Sequence, residues 1–265
     1  MLASNSKVSS GATVRSSMLA VAMLAGVLAG LLAAGYHAVL TEPVIDAAIA
    51  IEEASAVDVH TEDGGHADEV VSRGTQKIGL WIGWASIGLT WGVMAAAVLL
   101  LASRLLDVEI GTRARMIAAL AGYWVFSGMA ALKYPANPPA LGDPETINER
   151  TRLFFGLAGI SLIAVLVAVL VAVLLSRRGR PAWLAAITGV AIIVGAGVLS
   201  GLLLPTVDEP MLVSADLISE FRMHSMIGAA IFWAVFGGLF AGWPKLRERL
   251  ARRSAKTRLN TAEAR

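Results

Sequence analysis

The chain has 265 residues, of which 56% are hydrophobic and 16% charged, and its mean hydropathy is +0.68. This composition is too apolar for a soluble globular domain and indicates a membrane protein. The net charge of +2 does not indicate a nucleic-acid partner, because the basic residues form short clusters at the ends of apolar runs. The absence of cysteine excludes disulfides, thiolate metal sites and cysteine catalysis.

Six apolar runs are long enough to cross a bilayer, since about 20 helical residues span its roughly 30 Å hydrocarbon layer. They lie at residues 17–40, 78–103, 114–132, 153–175, 183–204 and 224–243. No alternation of the barrel type occurs, and backbone polar groups must be satisfied within the bilayer, so helical spans are predicted. The predicted fold is all-α, a polytopic bundle of about six transmembrane helices. A cleaved signal peptide is the alternative for the first run, although no clear cleavage site follows it.

The basic residues predict the orientation of these spans. With both termini in the cytoplasm, 16 of the 22 lysines and arginines lie inside, and 16 of the 20 acidic residues lie in outer loops. Lys and Arg accumulate on the cytoplasmic side, so we predict an N-in/C-in protein of the plasma (inner) membrane. The predicted parts are a disordered N-terminus at 1–16, a six-span domain at 17–243 with outer loops at 41–77, 133–152 and 205–223, and a basic cytoplasmic tail at 244–265.

Five glycine pairs in the predicted spans have GxxxG spacing. They are Gly26 and Gly30, Gly79 and Gly83, Gly88 and Gly92, Gly197 and Gly201, and Gly238 and Gly242. Such pairs let helix backbones approach closely. They predict tight packing within the bundle or contact with a further subunit.

The first outer loop concentrates acidic residues. Nine Asp and Glu residues and two histidines lie between Glu42 and Lys77. Its middle has the spacing His-x-x-Asp-x-x-His at His60, Asp63 and His66, and imidazole with carboxylate suits divalent Co, Ni and Zn. The loop is predicted to attract a divalent cation. A merely solvated acidic loop is the alternative.

Two further histidines lie near the outer ends of predicted spans. His37 follows Tyr36 in the first span, and His224 follows Met223 at the start of the sixth. An imidazole inside a span is a functional candidate because its burial must be offset by a partner. An interfacial histidine within an aromatic belt is the alternative for His37. The candidate metal ligands of the whole chain are His37, Glu42, Glu52, Glu53, His60, Asp63, His66 and His224.

A proline-rich segment follows the third span. Its sequence, LKYPANPPALGDPETI at 132–147, contains four prolines and therefore predicts a rigid, non-helical outer segment. Lys133 lies where the span meets this segment. It is a candidate for the lining of an entrance, with an interfacial snorkelling lysine as the alternative.

Several stretches together carry a family resemblance. They are EPVIDAAIAIEEA at 42–54, VSRGTQKIGL at 71–80, LKYPANPPALGDPETI at 132–147 followed by residues 150–152, LLLPTVDEP at 202–210, and residues 221–222. On these stretches the chain resembles the cobalt transporter subunit CbtA family, from the first span through the sixth. The resemblance carries the family's motif positions, at the predicted pore mouth, onto Arg73, Gln76, Lys133, Tyr134, Asn137, Asp143, Glu209 and Arg222, in addition to Glu42.

The resemblance implies a membrane subunit of a cobalt uptake system linked to cobalamin biosynthesis. Co²⁺ is then the substrate, no cofactor is expected, and a small single-span subunit, CbtB, is the implied partner beside the lipid bilayer. Two features depart from the family. Many members have a histidine-rich first outer loop, whereas this loop has two histidines, and the family is commonly described with five spans, whereas charge alternation here predicts six.

The sequence contains no motif for enzymatic chemistry. No nucleotide-binding loop, zinc-protease helix or nucleophile elbow occurs, so we expect neither ATP hydrolysis nor another enzymatic activity. Few ionisable groups lie within the spans, although such groups usually mark ion pathways. The alternatives to a cobalt transporter are a transporter of another divalent metal such as nickel, and a membrane subunit that binds metal or partners without conducting.

Overall fold

The computed structural model describes residues 2–59, 72–107, 109–139, 146–207 and 213–263. Within these ranges the chain is helical and contains no strand. The helices are α1 Leu2–Tyr36, α2 Glu42–Val59, α3 Arg73–Leu105, α4 Thr112–Tyr123, α5 Met129–Lys133, α6 Ile147–Arg177, α7 Ala182–Leu203 and α8 Ala215–Glu263. Two π-helical turns, His37–Thr41 and Trp124–Gly128, join α1 to α2 and α4 to α5.

Across the described ranges, six helical segments are long and apolar enough to cross a membrane. They are Ser17–Ala54, Arg73–Leu105, Thr112–Lys133, Ile147–Arg177, Ala182–Leu203 and Ala215–Leu246. This confirms the predicted all-α fold with six spans. The N-in/C-in orientation stays a prediction.

The helices extend further than the apolar runs. α2 and α3 occupy both ends of the segment 41–77 that the sequence analysis assigns to an outer loop. Residues 42–54 are rich in Ala, Ile and Glu. Ala and Glu strongly favour helix, so the segment is helical although its acidic residues led to its assignment as a loop. α1 begins at Leu2 and thus includes the residues predicted to be disordered.

The described helices form two compact units. The first unit contains Met1–Leu31, Gly83–Leu120 and Phe232–Arg265, and the second contains Leu32–Ile82 and Ala121–Ile231.

Glycines bring α1 and α3 into backbone contact in the first unit. A Cβ added at Gly26 would lie 1.9 Å from the carbonyl oxygen of Gly88, and one at Gly92 would lie 2.3 Å from that of Ala22. No side chain fits at such distances, so these two predicted glycine pairs serve packing within the bundle. By contrast, a Cβ at Gly238 would meet no atom within 4 Å.

A buried aromatic column follows α8 in the same unit. The rings of Phe232, Phe236 and Phe240 are stacked, with centroids 6.2 and 5.5 Å apart. Arg115 is buried against the last ring, 5.0 Å from its centroid, and its Nη1 donates a 3.1 Å hydrogen bond to the Phe240 carbonyl. Four residues later, Pro244 lies inside the helix and has no N–H for that carbonyl. Arg115 therefore supplies the donor that the proline removes.

In the second unit, a tight turn reverses the chain between α6 and α7. Gly179 has φ +67°, and its N–H donates to the Ser176 carbonyl, while the Arg180 N–H donates to the Leu175 carbonyl. These two bonds form a Schellman motif, which needs the left-handed conformation that glycine adopts without strain. The turn places α6 and α7 side by side as antiparallel neighbours.

Candidate functional site

The first polar feature of the second unit is the π-helical turn inside the first span. The Glu42 N–H donates to the His37 carbonyl, five residues back. The turn ends two residues before Pro43, whose missing N–H interrupts the regular helical ladder. This turn was not predicted from the sequence. Such turns are frequent at functional sites, and this one contains a candidate histidine.

His37 is buried within that turn, with 7% of its surface exposed. Its Nδ1 shares a 2.8 Å hydrogen bond with the hydroxyl of Thr41. Its ring lies against α8, where a Cβ on Gly228 would be 2.1 Å from His37 Nε2. The imidazole therefore occupies the place that a side chain at position 228 would take.

Tyr36 connects the two predicted span histidines. Its hydroxyl shares a 2.8 Å hydrogen bond with Nδ1 of His224. The Tyr36 ring centroid is 5.6 Å from that of His37 and 5.9 Å from that of His224. On the other side of the second imidazole, His224 Nε2 lies 3.8 Å from Oε1 of Glu220. The structure thus gathers both histidines around one tyrosine.

An ion-pair network joins the start of α2 to the start of α3. Arg73 Nη2 donates to Oε2 of Glu42 at 2.7 Å and to Oδ1 of Asp46 at 2.5 Å, and Arg73 Nη1 donates to Gln76 Oε1 at 2.6 Å. Lys77 Nζ donates to Asp46 Oδ2 at 3.1 Å and lies 3.9 Å from Glu42 Oε2. The Glu42 side chain is only 9% exposed. Two cations therefore neutralise two carboxylates at this point.

The ion pair with Arg73 gives Glu42 a structural role, whereas the sequence predicted a metal ligand. A buried carboxylate needs a partner because desolvation of an unpaired charge is costly. Arg73 supplies it with a planar guanidinium that bridges both carboxylates. The network therefore ties two helix ends together, and Glu42 is an ion-pair partner in this structure.

The proline-rich segment is held to α8 by an arginine. Arg222 Nη2 donates to Asn137 Oδ1 at 2.8 Å, and Arg222 Nε donates to the Ala136 carbonyl at 3.3 Å. Residues 134–139 are non-helical, as the prolines predict, and Pro138 is fully buried. Residues 134–139 thus form a non-helical segment that is hydrogen-bonded to α8, and we call this segment the proline-rich strap.

The beginning of the proline-rich strap and the end of α5 are hydrogen-bonded to the end of α7. Lys133 Nζ donates to the Gly201 carbonyl at 3.0 Å, and the Tyr134 hydroxyl donates to the Pro205 carbonyl at 2.7 Å. Pro205 has no N–H for the Gly201 carbonyl, so Lys133 replaces that donor. Burial raises the pKa of the Tyr134 phenol above its usual range, and the Glu149 carboxylate raises it further. The phenol therefore stays protonated and remains a hydrogen-bond donor at neutral pH.

The predicted site residues have different outcomes. His37, Glu42 and His224 lie within the polar contacts above, whereas Glu52 and Glu53 are exposed on α2. The remaining predicted positions, His60, Asp63, His66, Asp143 and Glu209, lie outside the described residues. Among the described residues, no group of three or more His, Asp or Glu side chains is placed to hold a metal ion.

Five contributors were not among the predicted site residues, and two of them, Asp46 and Lys77, belong to the ion-pair network. Tyr36 and Thr41 flank His37, and Glu220 precedes His224 by four residues. The i,i+4 spacing of Glu220 and His224 is a signal that the sequence already contained. The contact of Tyr36 with His224, 188 residues further along the chain, has no signal in the local sequence.

The comparisons with known proteins identify the family of the chain. A protein-family comparison matches residues 15–244 to CbtA, described as "Probable cobalt transporter subunit (CbtA)". Searches of curated proteins and of solved structures found no match. The match covers most of the chain and extends from the first span into the sixth. The chain therefore belongs to the CbtA family of probable cobalt transporter subunits.

Proposed function

We propose that this chain is the inner-membrane subunit of a Co²⁺ uptake system that supplies cobalamin biosynthesis. The family match over residues 15–244 is the observation that carries the proposal. The chain takes part without enzymatic activity and without a bound cofactor. A small single-span subunit of the CbtB kind is its proposed partner.

The acidic outer loop has an electrostatic role in this proposal. Nine acidic residues between Glu42 and Lys77 raise the local concentration of cations at the membrane surface. Arg73 and Lys77 neutralise Glu42 and Asp46 at the base of the loop. The carboxylates and imidazoles further along the loop then attract the metal, while the base is fixed.

The fastened helix ends support a fixed opening beside that loop. Six-span alternation puts the starts of α3 and α8 and the ends of α5 and α7 on one side of the membrane, together with the start of α2. Arg73 and Lys133 each donate hydrogen bonds between two of these segments, and Arg222 donates from α8 to the proline-rich segment that follows α5. In this proposal the hydrogen-bonded helix ends keep the candidate metal ligands in a constant arrangement as ions pass.

Uptake of labelled cobalt tests the function. Cells that lack this chain should lose high-affinity uptake, and re-expression should restore it. Unchanged uptake in the deletion strain would contradict the proposal. Competition with nickel in the same assay shows whether the system prefers cobalt.

A second candidate is a subunit that binds metal without conducting it. Few ionisable groups lie within the spans, and this favours it, because such groups usually mark ion pathways. The purified chain in liposomes, with and without the single-span partner, separates the two functions. A conducting subunit gives cobalt flux, whereas a non-conducting one gives binding alone.

The direction of transport requires the acidic loop to face outward. Because the chain has no cysteine, a single Asp63→Cys substitution gives one thiol in the whole protein. A membrane-impermeant maleimide should label it in intact cells. Labelling only after the cells are lysed would show that the loop is cytoplasmic and would contradict import.

A further inference from the structure

One face of α8 in the second unit presents ligand-type groups on successive turns. Glu220, His224 and Gly228 are spaced by four residues, so they lie on the same side of the helix about 6 Å apart. The third position is filled by the His37 ring, whose Nε2 lies 2.1 Å from where a Cβ on Gly228 would be. A carboxylate and two imidazoles therefore follow one another along this face.

The first two groups are close enough to share an ion. His224 Nε2 and Glu220 Oε1 are 3.8 Å apart. Two donors that each lie about 2.1 Å from one metal ion are at most about 4.2 Å apart. The observed separation therefore needs only a small side-chain adjustment. The Glu220 side chain is 56% exposed and the His224 side chain 14%, so an ion reaches the carboxylate first.

Tyr36 contacts one ring nitrogen of His224, and the other ring nitrogen faces the carboxylate. Its hydroxyl is 2.8 Å from His224 Nδ1, on the far side of the ring from Glu220. A metal-binding histidine usually donates its other ring N–H to an oxygen, which fixes the tautomer. In the tautomer in which Nδ1–H donates to the Tyr36 oxygen, the lone pair of Nε2 points toward Glu220.

We propose that Glu220 and His224 form a two-ligand capture site for Co²⁺ or another borderline divalent cation, with Tyr36 as its positioning residue. The identity of the metal rests on the proposed function. One imidazole and one carboxylate suit such ions. Two protein ligands leave the other positions to water, so the ion is held weakly enough to move on, unlike in a closed four-ligand structural site.

Cobalt binding to the full chain in lipid nanodiscs tests the site. The acidic loop also attracts cobalt, so the measurement follows the ¹⁵N signals of the histidine rings, which Co²⁺ broadens when it binds them. The ring signal of His224 should broaden during a CoCl₂ titration. Glu220→Gln should shift the midpoint for this signal to about ten-fold higher cobalt or more.

Asp216→Asn is the matched control. Asp216 is exposed on the same helix, one turn before Glu220, and its loss removes the same charge without removing the proposed ligand. The midpoint should then change less than two-fold. Equal midpoints for the two variants would overturn the site, because only general electrostatic attraction would remain.

Tyr36→Phe tests the positioning role separately. Without metal, the ¹⁵N shifts of His224 should show a change in the population of the Nδ1–H tautomer, and the cobalt midpoint should rise about ten-fold. Unchanged shifts and midpoint would overturn this role. Retained cobalt uptake by cells with Glu220→Gln and by cells with His224→Gln would overturn the site but leave the proposed function standing, which only the deletion strain tests.

Discussion

Each of the two units is stabilised internally by a different kind of contact. In the first, glycines let the backbones of α1 and α3 come into contact, and stacked phenylalanines line one side of α8. In the second, arginine, lysine, tyrosine and histidine side chains bind the ends of helices. Close packing resists change in shape, whereas polar contacts at helix ends position the candidate site residues. The motif positions of the family resemblance that the structure describes lie in the second unit.

In both units, a cationic side chain donates to a backbone carbonyl that lies four residues before a proline. Arg115 donates to the Phe240 carbonyl, and Lys133 donates to the Gly201 carbonyl. In each case the fourth residue after the acceptor is a proline, which cannot supply the usual helical N–H. A cationic side chain within a span is thus used here as a backbone donor, and such a cation need not mark an ion pathway.

The largest expected effect lies in the glycine packing of the first unit. Gly26→Ala puts a Cβ 1.9 Å from the Gly88 carbonyl oxygen, and a backbone atom cannot rotate away. We expect the free energy of unfolding in detergent to fall by about 3 kcal/mol or more. Thermal unfolding followed by circular dichroism measures the loss.

Gly238→Ala is the matched control in the same unit. A Cβ there meets nothing within 4 Å. Stability should change by less than about 0.5 kcal/mol. Equal losses in the two variants would show that close approach of backbones does not hold the unit together.

The next effect concerns the ion pairs of the second unit. Arg73→Gln leaves the Glu42 carboxylate, 9% exposed, with Lys77 3.9 Å away. We expect a loss of about 2 kcal/mol, because a buried charge loses its main partner. The double variant Arg73→Gln, Glu42→Gln should recover most of it. Lys77→Gln should cost about 0.5 kcal/mol, since both Lys77 and Asp46 are nearly half exposed. A double variant no better than Arg73→Gln would contradict the pairing.

A double-mutant cycle tests whether Arg115 replaces the N–H that Pro244 lacks. Arg115→Met leaves the Phe240 carbonyl without a donor only while Pro244 is present, because Pro244→Ala restores the helical N–H. We expect a coupling free energy of about 1 kcal/mol between the two sites. Additive effects, measured by thermal unfolding of all four proteins, would show that Arg115 does not replace the missing donor.

The smallest expected effect is at the proline-rich strap. Asn137→Ala removes the 2.8 Å hydrogen bond from Arg222, which keeps its bond to the Ala136 carbonyl. The expected loss is about 0.7 kcal/mol, because one half-buried hydrogen bond is lost. Hydrogen exchange of the Ala136 amide should become faster, while exchange in α1 stays unchanged. Faster exchange in both places would mean that the strap is not a local element.

Much of the candidate site was predictable from side-chain chemistry. His37 and His224 were identified because an imidazole within a span needs a partner, and Glu42 was identified as a carboxylate of the acidic loop and a motif position of the family resemblance. Their partners were not identified, because Arg73 and Tyr36 contact them across 31 and 188 residues. Arg115 was counted only as a charge that orients the protein, although it is buried against Phe240.

The sequence by itself determined the class of the protein and its spans, because hydropathy and the length needed to cross a bilayer are local properties. It also determined the family, through stretches that are unusual in themselves. Tertiary structure alone decided that Arg73 neutralises Glu42 and that Tyr36 lies between two histidines. It also decided which glycine pairs pack against backbone. These outcomes depend on which helix faces which, and that arrangement results from packing across the whole chain rather than from any one segment.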